Sequence, residues 1–470
     1  VNEKIKDDLA DVMEAIFNPA SIAMVGVPEG MKMGRLFLMG LQSAGYRGTI
    51  YPVNPRIDTI DGLPVFRRAA DIPGPVDLAV VLVPKKHLYP VLDELGTIGT
   101  RAAVIFTAGF SELGAGGGDE QRRLVEHARS CGIRLIGPNC MGVYSSKARM
   151  SSFPSMPMEE GDTALVSGSG SLTSFIVLRG VSRGLFFSKA VSFGNAADLV
   201  PSDFFAYLAD DPATSVITAY IEGVPEGARF HETVGRVSRT KPMVIWKAGL
   251  TEYGGRAARS HTGALAGRSA LWTGALAQAG AVQVGGIDEL LDAVMALKFI
   301  PPHTGRRVAI LSGPGGFAVA AADELERTGL LLAELSEETK RRIAAILPET
   351  GISVANPVDV GLSASVDYRL YTEPARAVME DPGVDALLLI GGTFSAEANR
   401  SFMEALVAAR QQTGKTLIMV DIPEFYFAIS EKDLGRQFVA AGIPTFPTSA
   451  RALWGLKKAV DYGQFLSGKR

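Results

Sequence analysis

Cysteine is almost absent from this chain: Cys131 and Cys140 are the only two in 470 residues. Two thiols cannot staple so long a chain, and neither belongs to a C-x-x-C pair, so a disulfide framework is excluded and no metal site is expected. A reducing cytoplasm fits this usage. Charge of one sign is also lacking, since 47 Lys and Arg face 50 Asp and Glu, for a net charge of -3 and a pI near 6.1. That balance offers no basic field for a nucleic acid, so any phosphate bound here must be held locally. Long apolar runs are missing too: "DLAVVLVP" and "VDALLLIGG" fall well short of the roughly 20 residues a membrane helix needs, and read as buried strands. The first 26 residues show a charged helical pattern instead of an export signal. No membrane association is expected.

What is present is length and rhythm. At about 150 residues per domain, 470 residues suggest roughly three. From Ser21 to Tyr144 the apolar runs "SIAMVGV", "GTIYPVNP", "VDLAVVLVP", "RAAVIFTAGF" and "IRLIGPNC" alternate with amphipathic stretches. Such alternation predicts an α/β fold, a parallel sheet with helices on both faces, here a doubly wound, Rossmann-like domain over 1–150. The stretch "YSSKARMSSFPSMPMEEGD" breaks the rhythm. It resumes with "TALVSGSGS", "FSKAVSFGN", "SVITAYIEG", "KPMVIWKAG" and "AVQVGG", giving a second domain over 151–302. After "PPHTGRR" a third series, "RVAILSGPGG", "VDALLLIGGT" and "TLIMVDIPE", gives a third over 303–470. The three share a layout but no fixed repeat period.

The glycines punctuate strand ends. Gly26, Gly30 and Gly34 follow the first strand with G-x-x-x-G spacing, which is not G-x-G-x-x-G, and no acidic residue closes the next strand. A nicotinamide-dependent dehydrogenase is therefore disfavoured. Two later turns, "LVSGSGSLTSF" and "ILSGPGGFAVA", each place Ser and Gly between an apolar strand and a helix start. Unpaired N–H groups and the helix dipole make such a turn an anion cradle. Ser167, Gly168, Ser169, Gly170 and Ser171 form the first, and Gly313, Gly315 and Gly316 the second. The bland reading, a capped strand-to-helix turn, holds for either alone. "GKT" at 414–416 lacks the first glycine of a phosphate-binding lysine loop.

Of five histidines, His87, His127 and His231 fall on polar helix faces and His303 in a linker, where solvation accounts for them. His261 differs: in "ARSHTGALAG" its neighbours are small, which predicts a bare loop with room for a phosphoryl group on a ring nitrogen. Serine and cysteine catalysis find no G-x-S-x-G elbow and no histidine near Cys140 in sequence.

"SHTGALAG" following "KAGLTEYGGRAAR" closely resembles the phosphohistidine segment of the ADP-forming acyl-CoA synthetases, relatives of succinyl-CoA synthetase. "YPVNPR", "TAGFSELG", "GIRLIGPNCMGVY", "SFGNAADL", "YIEG" and "NPVDV" match in order along nearly the whole chain. The resemblance implies a CoA-binding domain followed by two flavodoxin-like ligase domains. It also implies the chemistry: acyl-CoA and phosphate give an acyl phosphate, whose phosphoryl group passes to histidine and then to ADP. His261 matches the phosphorylated residue, and Glu222 the glutamate that orients its ring. The two cradles match the paired helix N-termini between which the histidine segment swings. CoA contacts carried over are Gly26, Lys32, Pro55, Arg56, Val83, Pro84, Thr107 and Asn139. Here the chain departs from the pattern, with Val27, Pro28 and Glu29 where relatives have a small Ala-Ser pair.

ADP or ATP and Mg2+ would be held mainly by an ATP-grasp β subunit, in an α2β2 assembly. The substrate would be a small carboxylic acid or its CoA ester, bound where the first two domains meet the "GSGS" turn. The alternative is a CoA-binding regulatory protein of the same fold that has lost turnover.

Overall fold

The structure, a computed structural model, describes residues 2–262, 269–347, 353–393, 396–422 and 434–468. Two compact units emerge: one runs through Val181 and from Leu185 to Ile287, the other holds Ser182–Gly184 and the chain from Asp288 onward. Among the described residues no helix is long and apolar enough to cross a membrane.

The first unit contains two sheets. In the first, β1 (Ser21–Val25), β2 (Thr49–Val53), β5 (Leu78–Val81), β6 (Ala102–Ile105) and β7 (Arg134–Ile136) stand in the order β2-β1-β5-β6-β7, all parallel. The short pair β3 (Thr59–Ile60) and β4 (Leu63–Pro64) forms a separate hairpin. The second sheet comprises β8 (Gly142–Ser145), β9 (Met150–Ser151), β10 (Thr163–Ser167), β11 (Phe187–Ser192), β12 (Val216–Ile221), β13 (Met243–Lys247) and β14 (Val282–Val284). Its order is β14-β13-β12-β10-β11-β8-β9, with β8 antiparallel to β11 and β9 antiparallel to β8.

In the second unit, β15 (Arg307–Ser312), β16 (Leu331–Leu332), β18 (Ala386–Ile390), β19 (Thr416–Val420) and β20 (Thr445–Phe446) run in the order β16-β15-β18-β19-β20, with β17 (Val358–Asp359) pairing the end of β15. Counted from its first parallel strand, and with the short β17 set aside, each sheet has the order 2-1-3-4-5. Each therefore reverses direction beside that first strand, and a reversal leaves a crevice at the strands' carboxyl ends.

Strand alternation sets the packing. On β1, Ala23 and Val25 face one layer with Leu88, Leu92, Leu95 and Leu124, while Ile22 and Met24 face the other with Phe37, Leu38 and Leu41. That second layer continues without interruption into the second sheet through Val143, Val166, Val191, Ala219 and Ile245. The N-terminal helix Asn2–Phe17 adds to it: Phe17 stacks on Tyr207 at 5.6 Å and meets Phe204 edge-on at 6.4 Å, and the Tyr207 hydroxyl donates to Glu14 at 2.7 Å. One shared core thus joins the first two sheets.

A buried charge cluster reinforces that junction. The Asp198 side chain, fully buried after β11, accepts from Arg134 Nε and the Leu135 N–H of β7 and from both Nε and Nη2 of Arg129, at 2.5–2.9 Å. Asp198→Ala leaves two guanidinium groups without their buried partner while they keep part of their hydration. We expect it to destabilise the first unit by about 2–4 kcal/mol, read as a lower urea midpoint at unchanged m-value.

Candidate active site

The crevice of the first sheet opens between the ends of β1 and β5. Gly26 adopts φ +88°, and a β-carbon there would stand 2.7 Å from Val83 Cγ1, so only glycine fits. Asn54 bridges two loops: its Nδ2 donates to the Val27 carbonyl at 2.8 Å, and its Oδ1 accepts the Arg56 N–H at 2.9 Å. Thr107 Oγ1 donates to the Val83 carbonyl at 2.6 Å, and the Asn139 N–H donates to the Thr107 carbonyl at 3.1 Å. The loops after β5, β6 and β7 are thereby tied together. Asn139 itself is left-handed, at φ 57°, and its Nδ2 reaches Asn195 Oδ1 at 3.4 Å.

Of the residues expected to touch CoA, Gly26, Val83, Thr107 and Asn139 are brought into one rim. Pro84 starts the turn that follows Val83, and Pro55 and Arg56 are exposed beside Asn54. Lys32 is exposed at the start of helix Met33–Ala44, where the first-turn N–H groups lie. Asn54 was missed by the sequence reading, although an Asn before Pro in "YPVNPR" is a turn signal of its own.

At the corresponding reversal of the second sheet, β10 and β12 end side by side, and the Gly168 N–H donates to the Tyr220 carbonyl at 3.0 Å. Glu222 follows β12 and is only 9% exposed. The Tyr220 hydroxyl donates to Glu222 Oε1 at 3.0 Å. Burial raises the Tyr220 phenol well above its usual range, and the Glu222 charge raises it further, so it stays a donor. Lys247, buried at the end of β13, donates to the Glu222 carbonyl at 2.8 Å and to the Ala248 carbonyl, with its ammonium 4.8 Å from the Trp272 ring centre. Burial pushes the Lys247 ammonium down, and the Glu222 carboxylate opposes that shift. Neither Tyr220 nor Lys247 was foreseen. The signal for Tyr220 was its two-residue spacing from Glu222, which puts both on one side of the chain as the strand ends.

Helix Glu252–Thr262 leaves β13 and carries His261 in its last turn. The bare loop expected at 258–267 is therefore helical as far as Thr262. Thr251 Oγ1 accepts the Gly254 N–H at 3.1 Å, and Arg256, Ala257, Ala258 and Arg259 are strong helix formers that outweigh two glycines. The His261 side chain and residues 263–268 lie outside the described residues.

The two cradles are built by local hydrogen bonds. Ser167 is buried, and its hydroxyl donates to the Ser169 carbonyl at 2.9 Å and accepts the Ser169 N–H at 3.1 Å, so it shapes the turn from within. Helix Gly170–Val181 begins there, with Ser171 exposed. Helix Gly315–Thr328 begins the same way: Ser312 Oγ donates to the Pro314 carbonyl at 2.9 Å, and the Gly313 N–H donates to Ile390 of β18 at 3.3 Å. Gly313 is buried, and a β-carbon there would stand 2.0 Å from the Tyr371 hydroxyl. Gly315 lies against the Asp359 carboxylate, whereas Gly316 faces open space.

Where Met141–Tyr144 and Ser151–Phe153 meet the start of helix Gly170–Val181 there is a cavity of about 20 Å³. That is room for a water-sized group. Cys140 is 3% exposed, its thiol directed at the Ile105 and Ile136 carbonyls, and burial pushes its pKa up to about 12. It is no nucleophile at neutral pH.

Residues 20–146 match the family described as "CoA binding domain", and residues 160–297 match "Succinyl-CoA ligase like flavodoxin domain". These matches define an α/β protein of the succinyl-CoA ligase class. The chain is 36% identical over 442 residues to the Pyrococcus furiosus protein "Acetate--CoA ligase [ADP-forming] II subunit alpha", covering 93% of this chain and 94% of that one. It is 34% identical over 461 residues to the Archaeoglobus fulgidus protein "Acetate--CoA ligase [ADP-forming] I", covering 97% of this chain but 65% of that longer one. Among solved structures it is similar to the Ca. Korarchaeum cryptofilum dinucleotide forming acetyl-coenzyme A synthetase 1 in complex with phosphate and ADP, with a TM-score of 0.85, 32% identity and 98% of each chain covered. The chain belongs to the ADP-forming acyl-CoA synthetase family, in its α-subunit form.

The first cradle yields a steric prediction. A β-carbon at position 170 would fall 2.0 Å from Met141 Cγ. Gly170→Ala should cost about 1–3 kcal/mol through overpacking, and Met141→Ala in the same chain should recover part of it. A double-mutant cycle on melting temperature reads the coupling.

Proposed function

We propose that this chain carries the acyl-phosphate and phosphohistidine half of an acid–CoA ligase reaction, with His261 as the phosphorylated residue. The observation that supports it best is Glu222, a nearly buried carboxylate oriented by Tyr220 beside the start of helix Gly170–Val181, with the helix bearing His261 leaving the adjacent strand. A carboxylate so held accepts the N–H of one imidazole nitrogen, fixes the tautomer and favours the charged ring that forms as the other nitrogen takes the phosphoryl group. The N–H groups of the helix start, with Ser169 and Ser171, stabilise that group's oxygens. Acyl-CoA and phosphate give acyl phosphate and free CoA. Transfer to His261 then releases the acid, and ADP takes the phosphoryl group onward.

CoA supplies the thiol ester, and the first crevice suits it. Gly30 leaves space, and Lys32 with the N–H groups of helix Met33–Ala44 offers positive charge to phosphates. The rim of Val83, Pro84, Thr107 and Asn139 would hold its remainder, with Pro55 and Arg56 opposite. We assign the nucleotide and Mg2+ mainly to an ATP-grasp β subunit, in an α2β2 assembly. In its support, the matched region makes up only 65% of the longer Archaeoglobus relative. The second cradle, over Gly313, Gly315 and Gly316, would serve the nucleotide half. Three domains over 1–150, 151–302 and 303–470 and a cytoplasmic setting complete the reading.

The test is intact-mass analysis of the chain incubated with inorganic phosphate, Mg2+ and a panel of acyl-CoAs, with and without a β subunit. One acid-labile phosphoryl group should appear with particular esters and be absent in His261→Asn. Tyr220→Phe should slow its appearance by about tenfold or more, the worth of a hydrogen bond to a charged group. A wild-type chain that binds CoA yet takes no phosphate from any ester, β subunit present, would make it a CoA-binding regulator instead.

A further inference from the structure

The first sheet carries a cluster that the crevice does not use. Asp93 lies on helix Leu88–Thr97, His127 on helix Ala115–Ser130, and Cys131 caps the carboxyl end of the latter, which packs on the former. His127 and Cys131 are four residues apart and share a face. Asp93 Oδ1 stands 2.8 Å from His127 Nε2 and 3.7 Å from Cys131 Sγ, and no two of the three ligand atoms are more than 4.8 Å apart. In a tetrahedral zinc site, with bonds of about 2.0 Å to N or O and 2.3 Å to S, ligand atoms lie roughly 3.3–3.6 Å from one another. Side-chain shifts of about 1 Å or less convert one arrangement into the other.

The state of the imidazole favours a cation here. His127 Nε2 is buried and pairs at 2.8 Å with the exposed Asp93 carboxylate, but without the alignment of a hydrogen bond. A metal ion between them would satisfy both groups. Tyr89 also packs edge-on against the imidazole, 5.0 Å between ring centres, and restrains it. The helices approach closely at Gly96, where a β-carbon would stand 2.9 Å from Cys131 Cβ and 3.0 Å from the Cys131 carbonyl oxygen. Glycine at that point lets the cysteine sit close under the neighbouring helix. Both helices end nearby, and their carboxyl ends carry partial negative charge.

We propose that Asp93, His127 and Cys131 form a zinc site, with the fourth position taken by water. One carboxylate, one imidazole and one thiolate suit Zn2+ better than Mg2+ or Ca2+, which prefer all-oxygen shells. As the Zn–S bond forms, the thiol proton passes to solvent, and the imidazole binds in its neutral form. The sequence reading assigned no metal because each segment taken singly lacks a ligand set: the carboxylate comes from a different helix, more than thirty residues earlier in the chain.

The experiment takes the untagged full chain, stripped with a chelator, and titrates Zn2+ against a chromophoric competitor, with Co2+ as a spectroscopic substitute. One equivalent should bind with a Kd on the order of micromolar, raise the melting temperature, and show a thiolate-to-cobalt charge-transfer band that Zn2+ abolishes. His127→Ala and Cys131→Ser should each weaken binding at least about tenfold. Cys131→Ser, a near-isosteric change, should also remove the charge-transfer band, while His231→Ala and His261→Asn leave all readouts unchanged. The proposal is overturned by the absence of a saturable equivalent, by zinc binding that survives both ligand substitutions, or by a cobalt spectrum without sulfur character.

Discussion

Reversal of strand order beside the first strand of each sheet is the constraint on which the other features rest. Crossovers in a parallel sheet are right-handed, so reversing direction sends successive helices to opposite faces and leaves the strands' carboxyl ends between them uncovered. The chain makes this move three times, and each time a backbone bond closes the junction: Leu82 N–H to Val25, Gly168 N–H to Tyr220, and Gly313 N–H to Ile390. These bonds fix the loops that follow. Helix N-termini and loop glycines then face each crevice without any further device.

The glycines at these junctions share a position but not a cause. Gly26 is required by its left-handed backbone and by Val83, Gly170 by Met141, and Gly313 by the Tyr371 hydroxyl. Close approach of an anion, the reason a sequence suggests for all of them, is therefore one of several pressures that select glycine at a strand end. Ser167 and Ser312 tell the same story, since each folds its hydroxyl back onto the turn. At the first cradle the Ser169 hydroxyl also accepts the Leu172 N–H, at 3.5 Å, while Ser171 is exposed.

Much of this architecture was legible, because period-two burial and strand–helix alternation are local signals. "SIAMV", "LAVV" and "AAVI" are strands for the reason their sequence suggests: both faces are covered, so every residue is apolar or small. The core shared by the first two sheets was not legible, because Ile22, Val143 and Val166 meet only after the chain has folded across more than a hundred residues. Asp198 escaped notice for the same reason, its partners Arg129 and Arg134 lying on the other sheet's elements. At His261 two local signals competed: small neighbours suggested a loop, while the alanines and arginines just before it set the helix.

The surroundings of Glu222 show how a nearly buried carboxylate is positioned. Lys247 bonds the main-chain carbonyls of Glu222 and Ala248, and its ammonium lies over Trp272. The donor on Oε1 is the neutral hydroxyl of Tyr220, whose proton is retained because burial and the adjacent negative charge both oppose its loss. A neutral donor thus helps to orient the carboxylate. Strand register sets the carboxylate at the end of β12, beside the start of helix Gly170–Val181, whose free N–H groups favour an anion as any helix start does.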